Sequence, residues 1–217
     1  MRQGRQASQL RVAICGAHST GKTTLINAMR QIRPEVEVIG GVVRGLIRRG
    51  YRFGLETDME SMMAYACAQF EQERRAASSA APVILSDRVL LDGVAYVQAN
   101  QGWVGAKQWK SRLQIKFLRA VAEQELMFYD AVVHVPIEFP LEDDDVRPTS
   151  EEYQRRVDDR LRLLTDSISE QLPIRRVSGT LEQRLEQLNS ILIGGRDDLR
   201  SELREEGIHG ANGIRQD

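Results

Sequence analysis

The chain has 217 residues, with 30 lysines and arginines against 31 aspartates and glutamates. That length supports one sizeable α/β core rather than two, and a formal net charge of −1 excludes a global attraction to nucleic acid or an anionic membrane, leaving only local patches. Two cysteines without metal-ligand spacing read as packing residues in a reducing compartment. No run reaches the roughly 18 apolar residues of a membrane helix, so the expectation is a cytoplasmic protein.

Residues 1–9 are polar and read as a flexible N-terminus. Leu10 to Cys15 is an apolar run that reads as a buried strand. Directly after it, Gly16-Ala17-His18-Ser19-Thr20-Gly21-Lys22-Thr23 fits G-x-x-x-x-G-K-[ST], followed by a helical run from Thr24 to Arg30. Glycines at this spacing let successive backbone N–H groups converge on phosphate oxygens at the positive end of a helix. Lys22 then serves the β and γ phosphates as a point charge, and the Thr23 hydroxyl serves Mg²⁺. Gly16 to Thr24 are therefore expected to bind a nucleoside triphosphate and its metal, with His18 contributing backbone rather than imidazole.

Val36 to Ile39 reads as a second strand. Gly40-Gly41 then opens a segment with arginines at 44, 48, 49 and 52, a local basic strip able to hold a phosphate group or a nucleic-acid backbone; a solvated helix face is the alternative for Arg48 and Arg49. Thr57 with Glu60 makes a capping box for a helix to about Ala77, with Met62, Met63, Ala66, Cys67 and Phe70 as its apolar face. Pro82 stops helix, and Val83-Ile84-Leu85 form a strand that delivers Ser86, Asp87 and Arg88 at its carboxyl end. Asp87 there can hold a Mg²⁺-bound water or accept the proton of an attacking hydroxyl; the alternative is a cap for the helix near Leu90. Arg88 can clamp an acceptor anion or make a surface ion pair. Tyr51, Phe53, Tyr65 and Tyr96 can stack on a base, although Tyr65 and Tyr96 also suit partly buried helix positions.

Lys107 to Met127 reads as a long amphipathic helix, and Ala131 to Val135 as a strand before Pro136. Residues 137–148 are rich in acids and prolines, contain Arg147, and read as an exposed loop able to close over a substrate. Thr149 with Glu152 makes a second capping box, opening a helix to about Gln171 that carries Arg155, Arg156 and Arg160. At least one of these arginines, or Arg147, is expected to reach the γ phosphate. Ile174 to Ser178 is a last strand, followed by Gly179-Thr180 and a helix ending near Gly194-Gly195. Residues 196–217 read as a charged, flexible tail.

Strands alternating with helices imply a parallel sheet with helices on both faces and ligand loops at the carboxyl ends of the strands, so the loop after Cys15 and Asp87 should be neighbours. The parts then suit phosphoryl transfer: a phosphate cradle, Mg²⁺, an acceptor-orienting carboxylate and arginines. The absence of an N/T-K-x-D guanine-reading motif favours ATP over GTP as donor.

Residues 16–25, Ser86-Asp87-Arg88 with Leu91-Asp92 and Ala95-Tyr96 downstream, and Arg147-Pro148 ahead of Glu152-Tyr153 together resemble the P-loop kinases of the nucleoside-kinase-like group. That group includes the ribosylnicotinamide kinase domain of bacterial NAD regulators and many phage-encoded small ATPases. The resemblance covers about residues 10 to 193. It implies a P-loop kinase-type three-layer α/β sandwich with a parallel sheet of about five strands, a kinase domain over 10–195 and a lid over about 137–160. It further implies Asp87 and Lys22 as catalytic, Arg147 as a lid residue, and Gly179 and Thr180 near the adenine. The group often has Glu where this chain has Gly41, which turns the expectation away from a ribose acceptor. The acceptor is then a nucleoside, nucleotide or modified nucleobase, and similar phage kinases phosphorylate 5-hydroxymethyluracil in DNA. A nucleotide-controlled switch without transfer is the reading from another class, and the oligomeric state stays open.

Overall fold

Every residue of β1 (Leu10–Cys15) is buried, Arg11 included, which explains why the strand is apolar at every position but Arg11: a parallel strand covered on both faces has no solvent side. Its side chains alternate between two cores, Ala13 and Cys15 on one face and Leu10, Val12 and Ile14 on the other. The computed structural model describes residues 9–100, 108–141 and 150–212. Residues 1–8 of the expected flexible N-terminus lie outside them, as does Arg147.

Around β1 stand β2 (Val36–Ile39), β3 (Val83–Asp87), β4 (Ala131–His134) and β5 (Ile174–Arg176). The sheet order is β2-β3-β1-β4-β5 and every pairing is parallel. One face is covered by α1 (Lys22–Ile32) and α7 (Leu181–Asn212), whose Leu25, Ile26, Met29, Leu188 and Leu192 fill the second core. The other face is covered by α3 (Met59–Ala77), α4 (Leu90–Asn100), α5 (Gln108–Leu126) and α6 (Glu151–Asp166). A short α2 (Val42–Ile47) follows β2. This is the expected three-layer α/β sandwich with a five-stranded parallel sheet. Each fully buried Leu, Ile or Met in these layers contributes about 1.5–3 kcal/mol relative to exposure. No helix among the described residues is long and apolar enough to cross a membrane.

Several local expectations are corrected. The N-cap of α3 is Asp58, whose carboxylate accepts from Ser61 N–H at 2.8 Å. Thr57 instead closes the preceding turn by donating to Gly54 O at 2.8 Å. An aspartate at this position adds a negative charge to the positive helix end, which a threonine lacks. The buried face of α3 runs through Ser61, Met62, Tyr65, Ala66, Gln69, Glu73 and Ala76, so Met63 and Phe70 face outward and Cys67 is exposed rather than packed. On α6 the cap is Ser150, accepting from Tyr153 N–H at 3.2 Å, and the helix stops at Asp166. Helix α7 continues through Gly194-Gly195 to Asn212. Gly195 marks close packing instead of a stop, since a Cβ there would lie 2.9 Å from Leu10 Cδ1, whereas a Cβ on Gly194 would meet nothing within 4 Å.

The register places Ile14 beside Asp87 and Cys15 beside His134. The carboxyl ends of β1 and β3 therefore open side by side, where α/β sheets place their ligands.

Candidate active site

The chain leaves β1 through Gly16, where a Cβ would sit 2.4 Å from Val135 O; only glycine lets the loop pass this strand end. The loop then curls around the end of α1, whose N-cap is the left-handed Gly21 with no side-chain cap. The first N–H groups of α1 are thus left for an anion, which the helix dipole favours. Lys22 folds back over this loop, donating to Gly16 O at 2.8 Å, to Ala17 O and to Thr20 Oγ1 at 3.2 Å. Burial, reinforced by the charge of Arg88, pushes its pKa down to about 7. Its hydrogen-bond partners are neutral oxygens, and the Asp92 and Asp87 carboxylates offset the burial only in part, so a phosphate would supply the missing charge.

Thr23, the next residue on α1, donates from Oγ1 to Asp87 Oδ2 at 2.7 Å. Two residues identified from unrelated stretches of sequence thus meet, and Asp87 is not a helix cap. The cap-like role falls to Asp92, which is buried on α4. Asp92 accepts from Val89 N–H at 3.0 Å and from Gly16 N–H at 3.1 Å, pinning the start of the phosphate loop to the start of α4. Burial pushes its carboxyl pKa up, while Arg88 and Lys22 act against it. Arg88 lies 3.7 Å from Asp92 Oδ1 in a left-handed backbone conformation, φ 86°. Such a conformation costs a non-glycine residue about 1–3 kcal/mol. It is held by Arg88 N–H on Ile14 O at 3.1 Å and by Ser86 Oγ on Arg88 O at 2.7 Å.

A cavity of about 660 Å³ runs along these groups, within the range of small-molecule sites. His18 to Thr24, Asp87 and Arg88 line it. Towards α7 it is bounded by Phe139, Pro140, Leu181 and Arg184, and towards α2 to α4 by Gly41, Arg44, Phe53, Met62, Tyr65, Gly93 and Tyr96. Arg44 and Arg88 are thus brought to the cavity, whereas Arg48 is exposed and not among its lining residues. Arg156 is also outside the lining and lies 3.7 Å from Glu152. Gly179 and Thr180 stand behind the wall: Gly179 N–H donates to Glu138 Oε2 at 2.7 Å, and Thr180 Oγ1 accepts from Gln183 N–H at 3.3 Å. Gly41 is left-handed, and a Cβ there would meet nothing within 4 Å. Among the described residues no cluster of three or more His, Cys, Asp or Glu could hold a metal. A Thr hydroxyl with one carboxylate is the hard-oxygen set that suits Mg²⁺ shared with phosphates, since Mg²⁺ keeps most of its waters.

Two organising residues escaped the sequence reading. Arg184, 2% exposed, donates from Nη1 to Thr20 O at 2.7 Å, from Nε to Gly179 O at 2.9 Å, and from Nη2 to Glu138. Its guanidinium also lies 4.7 Å from the Phe139 ring centroid. Burial pushes the Glu138 carboxyl up, but Arg184 and the Gly179 N–H outweigh it and hold the pKa below its ordinary value. Gln154, buried on α6, donates to His18 O at 2.7 Å. The available signal was a polar side chain inside an apolar stripe: Arg184 is in step with Leu188 and Leu192, and Gln154 with Val157 and Leu161.

A family model described as AAA domain matches residues 11–184, so the chain belongs to that family. No curated protein matches the sequence. Among solved structures, a deoxyadenosine kinase from M. mycoides with dCMP and dCDP bound is 17% identical, with 85% of this chain and 100% of that chain covered and a TM-score of 0.68. A NadR protein in complex with NR is 15% identical over 82% of this chain and 46% of that one, TM-score 0.63. Thymidylate kinase from Candida albicans is 16% identical over 87% and 93%, TM-score 0.62. At these identities the likeness is one of fold alone, an α/β fold that this chain shares with those proteins.

Proposed function

We propose that this member of the AAA domain family is an ATP- and Mg²⁺-dependent kinase that transfers the γ-phosphate to a hydroxyl of a nucleoside, nucleotide or modified nucleobase. The observation that carries the reading is the Thr23–Asp87 hydrogen bond at 2.7 Å inside a cavity that continues from the phosphate loop to an aromatic chamber. A nucleotide switch also uses a carboxylate beside the loop threonine to hold its metal; the chamber beyond that pair is what favours transfer to an acceptor. In this reading the Gly16–Thr24 loop, through its N–H groups beyond Gly16, and Lys22 hold the phosphates. Thr23 and Asp87 hold the metal, which when bound neutralises charge on the phosphate oxygens. Asp87 also accepts the proton of the acceptor hydroxyl, Arg88 steadies its anionic part, and the adenine lies towards Gly179, Thr180 and Phe139. Closing arginines, Arg147 and Arg156, belong to the same proposal.

A finer version has hydroxymethylated DNA as acceptor, specifically 5-hydroxymethyluracil as in similar phage enzymes. It is favoured by the open space at Gly41, by Arg44 on the cavity wall and by exposed Arg48 and Arg49 beside it. Incubation with γ-labelled ATP and a panel of nucleosides, nucleotides and hydroxymethylated DNA tests both. Label on an acceptor is the expected result, and nucleotide binding without label on any acceptor would return the protein to the switch reading. For the DNA version, Arg48→Glu with Arg49→Glu should abolish labelling of DNA, and binding should weaken steeply with salt.

A further inference from the structure

Tyr96 on α4 lies between two charged parts of the cavity that the reaction must bring into step. Its hydroxyl is 3.2 Å from Nδ1 of His18 in the phosphate loop and 3.5 Å from Nη1 of Arg88. The Arg88 guanidinium also lies 5.4 Å from the Tyr96 ring centroid. Arg88 reaches Asp92 on its other side, and Asp92 accepts from the Gly16 N–H. The polar circuit thus leaves the phosphate loop at His18 and returns to it at Gly16, passing through Arg88, which stands next to Asp87.

We infer that the Tyr96 hydroxyl is a positioning group that links the phosphate loop, through His18, to the Arg88 guanidinium, so that the loop and the acceptor-side cation adopt one joint arrangement. The inference rests on the kinase reading above for its catalytic consequence. Arginine can only donate, so Arg88 gives a proton to the tyrosine oxygen. The tyrosine O–H is inferred to donate to His18 Nδ1, which requires the imidazole tautomer protonated on Nε2. Such a chain polarises along its length, which stiffens the guanidinium beyond what its ion pair alone provides. His18 is further held from the backbone by Gln154, so a shift of the loop on nucleotide binding is passed to Tyr96 rather than absorbed by the ring.

Tyr96→Phe isolates the hydroxyl, because the ring keeps its places 6.0 Å from His18 and 6.1 Å from Tyr153. Tyr96→Phe, Arg88→Lys and the double variant are compared in turnover, in KM for ATP and in binding of a fluorescent ATP analogue. The chain has three histidines, so ring ¹⁵N spectra of the full-length protein resolve His18 in parent and variant. The expected result is turnover lowered about tenfold or more with KM for ATP and analogue binding within about twofold, and a double variant no slower than Arg88→Lys. His18 should show an unprotonated Nδ1 in the parent that shifts in Tyr96→Phe. Parental turnover in Tyr96→Phe, losses that multiply in the double variant, or a His18 spectrum unmoved by the substitution would overturn the inference. If the parent transfers phosphate to nothing, the kinase reading fails, and the His18 spectrum still decides the link.

Discussion

Thr23 and Asp87, 64 residues apart in sequence, share a 2.7 Å hydrogen bond in which the threonine hydroxyl donates to the carboxylate. The parallel register that sets Ile14 beside Asp87 creates it: the loop after β1 has to turn α1 back across the end of β3. The pair joins the loop hydroxyl proposed to hold the metal to the carboxylate proposed as base.

Asp87→Asn keeps an oxygen for the Thr23 hydroxyl but removes the charge and the proton acceptor. Transfer of label from ATP should fall about 10²–10⁴-fold, the usual worth of a positioned base, while nucleotide binding and thermal stability stay near parental. An Asp87→Asn protein that transfers at the parental rate would leave Asp87 with a structural role only.

Lys22, with its pKa lowered to about 7 in the nucleotide-free protein, is mostly neutral at pH 8. A bound triphosphate favours the charged form, so binding should take up about 0.9 proton at pH 8 and less as pH falls below 7. Affinity should accordingly weaken as pH rises above 7. Calorimetric titration at pH 8 in buffers of different ionisation enthalpy reads this directly, and equal heats in all buffers would refute it.

Arg184→Gln takes from Thr20 O, Gly179 O and Glu138 the guanidinium that joins them, leaving Glu138 the Gly179 N–H. A broken, largely buried pair of this kind costs about 3 kcal/mol, or roughly 6–12 °C in Tm for a chain of this length. The variant should also lose the stabilisation that ATP confers on the parent, because the guanidinium ties the phosphate loop to the wall carrying Phe139. Thermal unfolding with and without nucleotide measures both.

Gly93 faces Met62, whose Cε would be 2.5 Å from an added Cβ. The methionine end is flexible, so Gly93→Ala should cost only about 1–2 kcal/mol and push Met62 into the chamber. KM for the acceptor identified by labelling should rise, with KM for ATP unchanged; equal KM values for the acceptor would show that the chamber wall does not meet it.

Glu73 and Glu125 are buried next to each other beneath the Asp87 turn. Tyr129 OH donates to Glu73 at 2.7 Å and Leu90 N–H to Glu125 at 2.6 Å. Burial raises both pKa values, and the negative charge of Glu73 raises Glu125 further. The folded state therefore keeps a proton that the unfolded chain releases above about pH 4.5, so stability falls as pH rises beyond that value. Glu125→Gln removes the need for the proton while keeping an acceptor for Leu90. It should match the parent near pH 4 and exceed it at pH 8 in denaturant titrations.

Much of this site was legible because its motifs are local. The run from Gly16 to Thr23 carries its geometry in its own glycines and sits between a strand and a helix whose patterns differ, and Asp87 announces itself as a carboxylate ending an apolar strand. The helix caps at Asp58 and Ser150 were misread by one residue, because neighbouring Thr, Ser and Asp side chains compete for the same N–H and only the entry angle of the chain chooses. Cys67 was misplaced because α3 buries Gln69 and Glu73 in a polar network instead of following its most apolar face.

Sequence by itself determined the order of strands and helices, the phosphate loop and the strand-end carboxylate, since each depends on residues within a few positions of one another. Only the tertiary structure decided that Arg184 holds Thr20, Gln154 holds His18, Asp92 holds Gly16, and that Phe53, Met62, Tyr65 and Tyr96 share one chamber. The three hydrogen bonds join side chains to backbone positions 76 to 164 residues away, and a buried polar group is satisfied by whatever the packed layers bring to it rather than by its neighbours in the chain.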